Sequence, residues 1–257
     1  MVTVKNIIEV IERLAPKELA EDWDNPGLEV GSENMPVSAV LTTLDCDMET
    51  VLEAEKLGCG MIVAHHPLIF HPLNFVTDET ETGRVVLALA KRDIALYSAH
   101  TNLDCACGGI NDYLCKKIGL KSVTVQEDIG NGSLIRIGKV TPRSFEDFAR
   151  GLAEMFGKKY IRCVGNPGKI IETVGICSGG GGDYISEMAG KCDVYVTGDV
   201  KYHMARSANE AGLCIAVLEH YESEICAEEI FENALKDTGV KVFKSGSNRD
   251  IVFDIFR

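Results

Sequence analysis

The chain has 257 residues, of which 46% are hydrophobic and 25% are charged, and its formal net charge is −13 at pH 7. This composition is ordinary for a globular protein, with enough residues for one large domain or two intertwined smaller ones. The negative balance, without a block of lysine and arginine, argues against nucleic-acid binding, and no apolar run reaches the ~20 residues that a membrane-spanning helix needs.

The first half alternates helical and strand-like patterns, which predicts α/β layers. Helices are predicted where apolar residues recur at helical spacing, and strands where short apolar runs lie between turn residues. The predicted helices are residues 4–14, 47–57, 84–91 and 110–118, and the predicted strands are residues 39–44, 61–64 and 94–98.

The second half repeats this order. Its predicted strands are residues 173–177, 194–197 and 213–218, and its predicted helices are residues 183–189, 202–211 and 223–235. Alignment of residues 40–66 with 174–199, and of 93–104 with 212–224, keeps strands, helices and turns in step, which favours duplication over coincidence. We therefore expect two similar intertwined α/β halves, residues 1–128 and 129–257, joined at turn-rich residues 126–133.

Histidines and carboxylates follow three of the predicted strands, and strand ends are where ligands converge in α/β folds. Imidazole and carboxylate together suit zinc, iron, manganese, nickel or cobalt. The pattern predicts a metal site built from distant segments, whereas His71 and His203 lack this context and are interpreted as ordinary histidines. The candidate metal ligands are His65, His66, Asp104, His220 and Glu224.

His100 heads a second His-x-x-x-acid segment, and its role stays open between a metal ligand and a proton-transfer group beside Asp104. Glu222 is the other candidate for proton transfer, since it lies within a ligand cluster. Asp24, Asn25 and Thr42 are candidates for orienting a substrate.

Two further stretches are candidate pocket walls. Trp23, the only tryptophan, lies in a polar, turn-rich segment, and the alternative is a core tryptophan in a capped loop. The glycine run at residues 179–182 lies between a strand and a helix, where backbone amides can approach an anion, but it matches neither phosphate-loop pattern and lacks the Gly-Lys-Ser/Thr ending.

The ten cysteines form no Cys-x-x-Cys pair, which argues against a structural zinc finger and fits reduced thiols. Cys105 and Cys107 are interpreted as bystanders beside Asp104. The N-terminal residues lack the charged-then-apolar layout of a signal peptide, so we expect a cytoplasmic protein.

These segments together resemble the YbgI-like, or Nif-three-like, family of dinuclear-metal-centre proteins, whose members are often labelled GTP cyclohydrolase I type 2 homologues. The match covers nearly the whole chain in the family's order. The matching segments are residues 23–31 (WDNPGLEVG), 44–45 (LD), 65–70 (HHPLIF), 98–104 (SAHTNLD), 197–199 (TGD) and 220–224 (HYESE).

The resemblance implies a pair of divalent metal ions per chain, held by residues matching His65, His66, Asp104, His220 and Glu224. It also implies two similar α/β halves without the central domain of longer members, and toroidal homohexamers whose metal sites face an internal cavity.

Two functions from different classes follow. One is a metal-dependent hydrolase acting on a nucleotide or related small molecule; in its cyclohydrolase form, a metal-held hydroxide attacks C8 of guanine and formate is released. The alternative is a metal-binding protein without turnover, in metal handling or regulatory assembly. A purely structural metal role is the third reading, although structural sites are usually closed and single.

Overall fold

A computed structural model describes residues 1–128 and 134–252 of the chain. It confirms the α/β class, with two compact units. Unit 1 comprises Met1–Leu103 and the segment that begins at Ala227, and unit 2 comprises Asp104–Cys226. The chain thus leaves unit 1, builds unit 2 and returns, which is an intertwined arrangement.

Helices and strands alternate along much of the described chain. The α-helices are α1 (Val4–Leu14), α2 (Met48–Leu57), α3 (Glu81–Lys91), α4 (Thr101–Cys105), α5 (Ile110–Ile118), α6 (Phe145–Met155), α7 (Ile185–Met188), α8 (Tyr202–Glu210), α9 (His220–Glu224) and α10 (Ala227–Leu235). The strands are β1 (Gly27–Val30), β2 (Ala39–Thr43), β3 (Met61–Ala64), β4 (Ala95–Ser98), β5 (Lys121–Val125), β6 (Arg136–Ser144), β7 (Arg162–Val164), β8 (Ile170–Ile176), β9 (Val194–Thr197), β10 (Cys214–Val217) and β11 (Lys241–Lys244). Short 3-10 helices cover Lys17–Leu19 and Gly181–Tyr184.

The sheet of unit 1 has the strand order β1-β4-β3-β2-β11. Strands β2, β3, β4 and β11 run parallel, and β1 pairs antiparallel with β4 at the edge. Every residue of β2, β3 and β4 is buried, which explains why these strands are continuous apolar runs. Helix α1 buries Val4, Ile7, Ile8 and Ile11, the face that its 3.6-residue period predicts.

The sheet of unit 2 has the strand order β5-β6-β8-β9-β10-β7. Strands β8, β9 and β10 run parallel, β7 pairs antiparallel with β10, and β6 pairs antiparallel with β5 and β8. Each unit therefore contains parallel strands with an antiparallel edge strand beside the last of them, β1 beside β4 and β7 beside β10. This shared pattern confirms that the chain contains two similar α/β parts.

The predicted division between residues 128 and 129 does not coincide with the compact units. Its join, residues 126–133, lies partly outside the described residues. Strand β5 precedes the predicted join but pairs with β6 of unit 2, and β11 follows it but pairs with β2 of unit 1. The repeated pattern in the sequence does not reveal such pairings, because each half contains its own complete set of predicted strands and helices.

Several elements differ from the sequence prediction. The predicted helix at residues 223–235 is two helices, α9 and α10, and the predicted helix at 183–189 is a 3-10 turn followed by the short α7. Helices α4 and α6 and strands β1, β5, β6, β7 and β11 are not predicted. Most residues of these five strands are exposed or half-buried, so the strands lack a continuous apolar run. No helix in the described ranges is long and apolar enough to cross a membrane.

Asp193 connects β8 and β9 of unit 2. Its Oδ2 accepts hydrogen bonds from the backbone amides of Glu172 and Thr173 and from the Thr173 hydroxyl, at 2.8–3.0 Å. Burial raises the pKa of the Asp193 carboxyl, but these hydrogen bonds and the charge of Lys169 outweigh it, so the net pKa lies below the ordinary value of 3.8.

Asp193→Ala is expected to lower the free energy of unfolding at pH 7 by roughly 1–3 kcal/mol, because two backbone amides and a hydroxyl lose a charged acceptor. Since the folded-state pKa is lowered, this stabilisation is complete above the unfolded value and is lost as the pH falls through the folded value. Urea unfolding at neutral pH and near pH 3 measures both effects. The exposed Asp237 provides the matched control, and an equal loss in Asp237→Ala would contradict the prediction.

Candidate metal centre

In unit 1 the structure brings His65, His66 and His100 together. His65 and His66 follow β3 directly, and His100 lies two residues after β4, the parallel neighbour of β3. The carboxyl ends of parallel neighbours meet at one sheet edge, so the ring nitrogens of these histidines lie within 4.8 Å of one another. His65 is fully buried, while His66 and His100 are half-buried.

The Nδ1 atom of each of these histidines contacts an oxygen that can only accept a hydrogen bond. These contacts are His65 with the Ala99 carbonyl at 2.9 Å, His66 with Asp45 Oδ1 at 2.7 Å, and His100 with Asp24 Oδ1 at 2.7 Å. Nδ1 must therefore carry the hydrogen, which leaves the lone pair of the neutral ring on Nε2. Metal-binding histidines are held in this way.

Asp24, a predicted substrate-orienting residue, holds the His100 segment in place. Its side chain is fully buried, and its Oδ2 accepts from the backbone amide and the hydroxyl of Thr101, at 3.0 and 2.5 Å. Burial raises the pKa of Asp24, but the hydrogen bonds from His100 and Thr101 and the His100 charge lower it by more, so the net pKa is depressed. These contacts support a positioning role, and contact with substrate stays a prediction.

The other predicted substrate-orienting residues are also engaged within unit 1. Asn25 Nδ2 donates to the carbonyl of Ile69 at 2.6 Å. Thr42 is fully buried in β2, and its hydroxyl donates to the Phe243 carbonyl on β11 at 3.3 Å. The geometry of Thr42 favours a structural role over contact with a substrate.

In unit 2, His220 and Glu224 lie one turn apart on α9, which follows β10. His220 Nδ1 contacts Asp199 Oδ2 at 2.7 Å, and its Nε2 contacts Glu224 Oε2 at 2.9 Å. Hydrogen bonds with Asp199 and Glu224 raise the pKa of His220 to about 10. His220 Nε2 and Glu224 Oε2 thus lie side by side, close enough for one ion to bind both.

Asp104 and Glu224 form a pair of buried carboxylates in unit 2. They are 5% and 4% exposed, and their carboxylate oxygens lie within 4.8 Å of each other. Ser178 Oγ donates to Asp104 Oδ1 at 2.8 Å. Two negative charges this close in a buried place repel each other, and a cation between them removes the repulsion. Mixed imidazole and carboxylate donors fit a divalent transition metal.

Glu222 lies on α9 between the candidate ligands His220 and Glu224. Its Oε1 accepts a hydrogen bond from the Lys158 ammonium. Within the described residues, its Oε2 is buried without a hydrogen-bond partner. A charged neighbour on one oxygen and an unpaired second oxygen are compatible with proton transfer, which stays a prediction.

The glycine run has a packing explanation. A Cβ on Gly179 would lie 1.9 Å from Glu224 Oε1, and one on Gly182 would lie 2.1 Å from the Asp199 carbonyl oxygen. The Gly179 amide donates to Ser223 Oγ at 2.9 Å. Glycine lets the backbone pass beside a carboxylate here, and a negative neighbour does not favour binding of an anion.

Sequence reasoning did not assign roles to Asp45, Asp199 and Ser178. Asp45 and Asp199 each stand two residues after a strand, β2 or β9, and each contacts a histidine 21 residues later, after the parallel neighbour of that strand. The sequence pattern that could have identified these two acids is an aspartate just after one apolar run and a histidine, 21 residues later, just after the next run.

Known proteins resemble this chain over most of its length. Residues 2–250 match the family described as Duf34/NIF3 (NGG1p interacting factor 3). A Lactococcus lactis protein named GTP cyclohydrolase 1 type 2 homolog is 34% identical over 249 residues, covering 95% of this chain and 96% of the relative. A Helicobacter pylori protein named GTP cyclohydrolase 1 type 2 is 32% identical over 224 residues, covering 87% of this chain and 88% of the relative. The crystal structure of a Bacillus cereus protein related to NIF3 superposes with a TM-score of 0.90 at 26% identity, covering 99% of each chain.

The carboxylates behind the histidines generate a prediction for metal binding. Asp45→Ala in unit 1 and Asp199→Ala in unit 2 remove the acceptors of His66 and His220, and each is expected to weaken metal affinity by about 10- to 100-fold. Competition with a chromogenic chelator measures this affinity in the folded protein, checked by circular dichroism. The exposed Asp237→Ala variant should bind metal like the parent; unchanged affinity in both test variants would show that these carboxylates do not support ligands.

Proposed function

Because the chain belongs to the Duf34/NIF3 family, we propose that it is a metal-dependent hydrolase that acts on a nucleotide or a related small molecule. Relatives named GTP cyclohydrolase 1 type 2, or its homolog, support a guanine nucleotide as the first substrate to test. The proposed metal ligands are His65 and His66 of unit 1 and Asp104, His220 and Glu224 of unit 2.

One observation carries the proposal. His65, His66, His100 and His220 each commit Nδ1 to an oxygen acceptor. A histidine that serves only packing needs no such uniform orientation, whereas a metal ligand needs its tautomer and ring plane defined before the ion arrives. His100 therefore joins the proposed ligand set of unit 1 as an alternative to its proton-transfer role.

A divalent ion would supply a bound water of lowered pKa and would polarise the atom under attack. The chain's own residues supply orientation and proton transfer. Asp24 prevents the His100 ring from rotating, and Lys158 keeps the Glu222 carboxylate in place. In a cyclohydrolase reaction, His100 and Glu222 are the candidates to take up and return protons while two water molecules add in turn at C8 of guanine, the two C8–N bonds break, and C8 leaves as formate.

The test combines metal content with product formation. The purified full chain is loaded with zinc, iron, manganese or nickel, and elemental analysis is expected to give about two ions per chain. Formate release from GTP is then followed for the parent, Asp104→Ala, Glu222→Gln and His203→Ala. Asp104→Ala should lose metal and formate release together, because it removes a buried ligand. Glu222→Gln should keep metal and lose turnover, and the exposed His203→Ala should match the parent.

The outcomes separate the two functions. Full metal loading without hydrolysis of GTP, phosphoesters or cyclic amides, together with rapid transfer of the metal to an acceptor, would support metal handling and reject the hydrolase. Metal content unaffected by Asp104→Ala would reject the proposed ligand set.

We further propose that the chain is cytoplasmic and assembles as a homohexamer, as membership of the family suggests. Light scattering coupled to gel filtration should give a mass near six times that of the 28.0 kDa chain. A monomer at micromolar concentration would remove this proposal.

A further inference from the structure

An exposed aromatic cluster lies beside the histidines of unit 1. Trp23 is 57% exposed and Phe70 is 37% exposed. Their ring centroids lie 5.9 Å apart, and the His100 ring lies 6.2 Å from each. The Trp23 and Phe70 planes are inclined by 53°, while His100 stands at 76° and 84° to them. Two apolar rings thus form a corner whose third side is a polar heterocycle.

The exposed rings belong to segments with defined positions. Asp24, next to Trp23, is tied to His100 and Thr101, and Asn25 donates to the Ile69 carbonyl. The Ile69 amide donates to Glu29 Oε2 at 2.5 Å. Both backbone groups of Ile69 are therefore bound, directly before Phe70. Because hydrogen bonds fix the segments on which Trp23 and Phe70 lie, the two exposed rings are preorganised to contact a ligand.

The chemistry of the corner selects its ligand. Trp and Phe faces favour a flat partner with π-electron density, and a histidine at the side favours a partner with polar atoms on its edge. We propose that Trp23 and Phe70 form a stacking platform in which a planar heteroaromatic ring lies flat on one of the two rings and packs at an angle against the other, with His100 beside its edge. This inference rests on the proposed nucleotide hydrolase, and it names the base, rather than the phosphates, as the part of the substrate that unit 1 recognises.

A protein partner fits this surface less well. Asp22 and Asn25 next to Trp23 are exposed and polar, and the exposed His71 ring lies 4.8 Å from Phe70. The core of a stable protein interface is a wider apolar patch from which charged residues are depleted. The rings of Trp23 and Phe70, bordered by these polar residues, match the face of one heterocycle. Leu73, Phe75 and Val76 later in the same segment are also exposed and apolar, and the Phe75 variant below tests whether that stretch takes part.

The single tryptophan provides a direct readout. Guanosine and GTP, titrated into the full chain, are expected to quench or shift the Trp23 fluorescence in a saturable way, whereas inorganic triphosphate and ribose 5-phosphate should not. Phe70→Ala keeps the fluorophore and is expected to weaken guanosine binding about 10- to 100-fold, as loss of one stacking partner does. Phe70→Tyr should restore it, because the ring is retained. Phe75→Ala, which alters an 80% exposed aromatic residue five positions later, is the matched control.

Trp23→Ala is tested by equilibrium dialysis with labelled guanosine, since its fluorescence is lost, and it should show a similar loss of binding. Titrations with and without a metal chelator measure guanosine binding independently of turnover. Saturable guanosine binding without formate release would therefore keep the platform and reject only the hydrolase. Unchanged guanosine binding in Phe70→Ala and Trp23→Ala would overturn the platform. If the oligomeric mass of these variants changed while guanosine binding did not, the platform would also be overturned, and the two rings would instead contact a second copy of the chain.

Discussion

The hydrogen bond from a histidine Nδ1 to an oxygen acceptor is the interaction on which the candidate ligand sets of both units depend. A neutral imidazole has one lone pair, and the group at Nδ1 decides whether that lone pair lies on Nε2. A free imidazole would lose rotational freedom and a solvating water on binding a metal. Here the fold has already oriented the ring, through Asp45, Asp24 and Asp199 and through the Ala99 carbonyl.

This orientation comes from the parallel sheets. Parallel neighbours joined by a helix place their carboxyl ends side by side, so an acid after one strand meets a histidine after the next. Asp45 with His66 in unit 1 and Asp199 with His220 in unit 2 follow this rule. The same arrangement occurs in both units, as expected for a site that developed from a duplicated βαβ unit. The Asp–His pair follows β2 and β3 in one sheet and β9 and β10 in the other.

The sequence predicted the strands that position the histidines, because strands buried on both faces are continuous apolar runs that end abruptly in polar residues. Residues 61–64 and 194–197 were predicted with their observed bounds. The supporting acids were not assigned, because an aspartate after a strand is common and its role depends on which strand lies beside it. The pairing of β11 with β2 was missed for the same reason, since strand order is a long-range property and β11 is only half-buried.

The segment around Trp23 shows how structural and functional demands share a few residues. Asp24 has a buried side chain that accepts a hydrogen bond from His100, Asn25 donates to the carbonyl before Phe70, and Trp23 is 57% exposed. Stability alone would favour burial of the indole, the largest apolar side chain in the chain. Asp24 orients His100, a candidate metal ligand, and the adjacent Trp23 offers a face for the proposed planar ring. A single turn therefore couples the position of this candidate ligand to the position of the proposed stacking surface. A substitution at Asp24 would therefore disturb the orientation of His100 and the placement of Trp23 together, which makes Phe70 the cleaner probe of recognition.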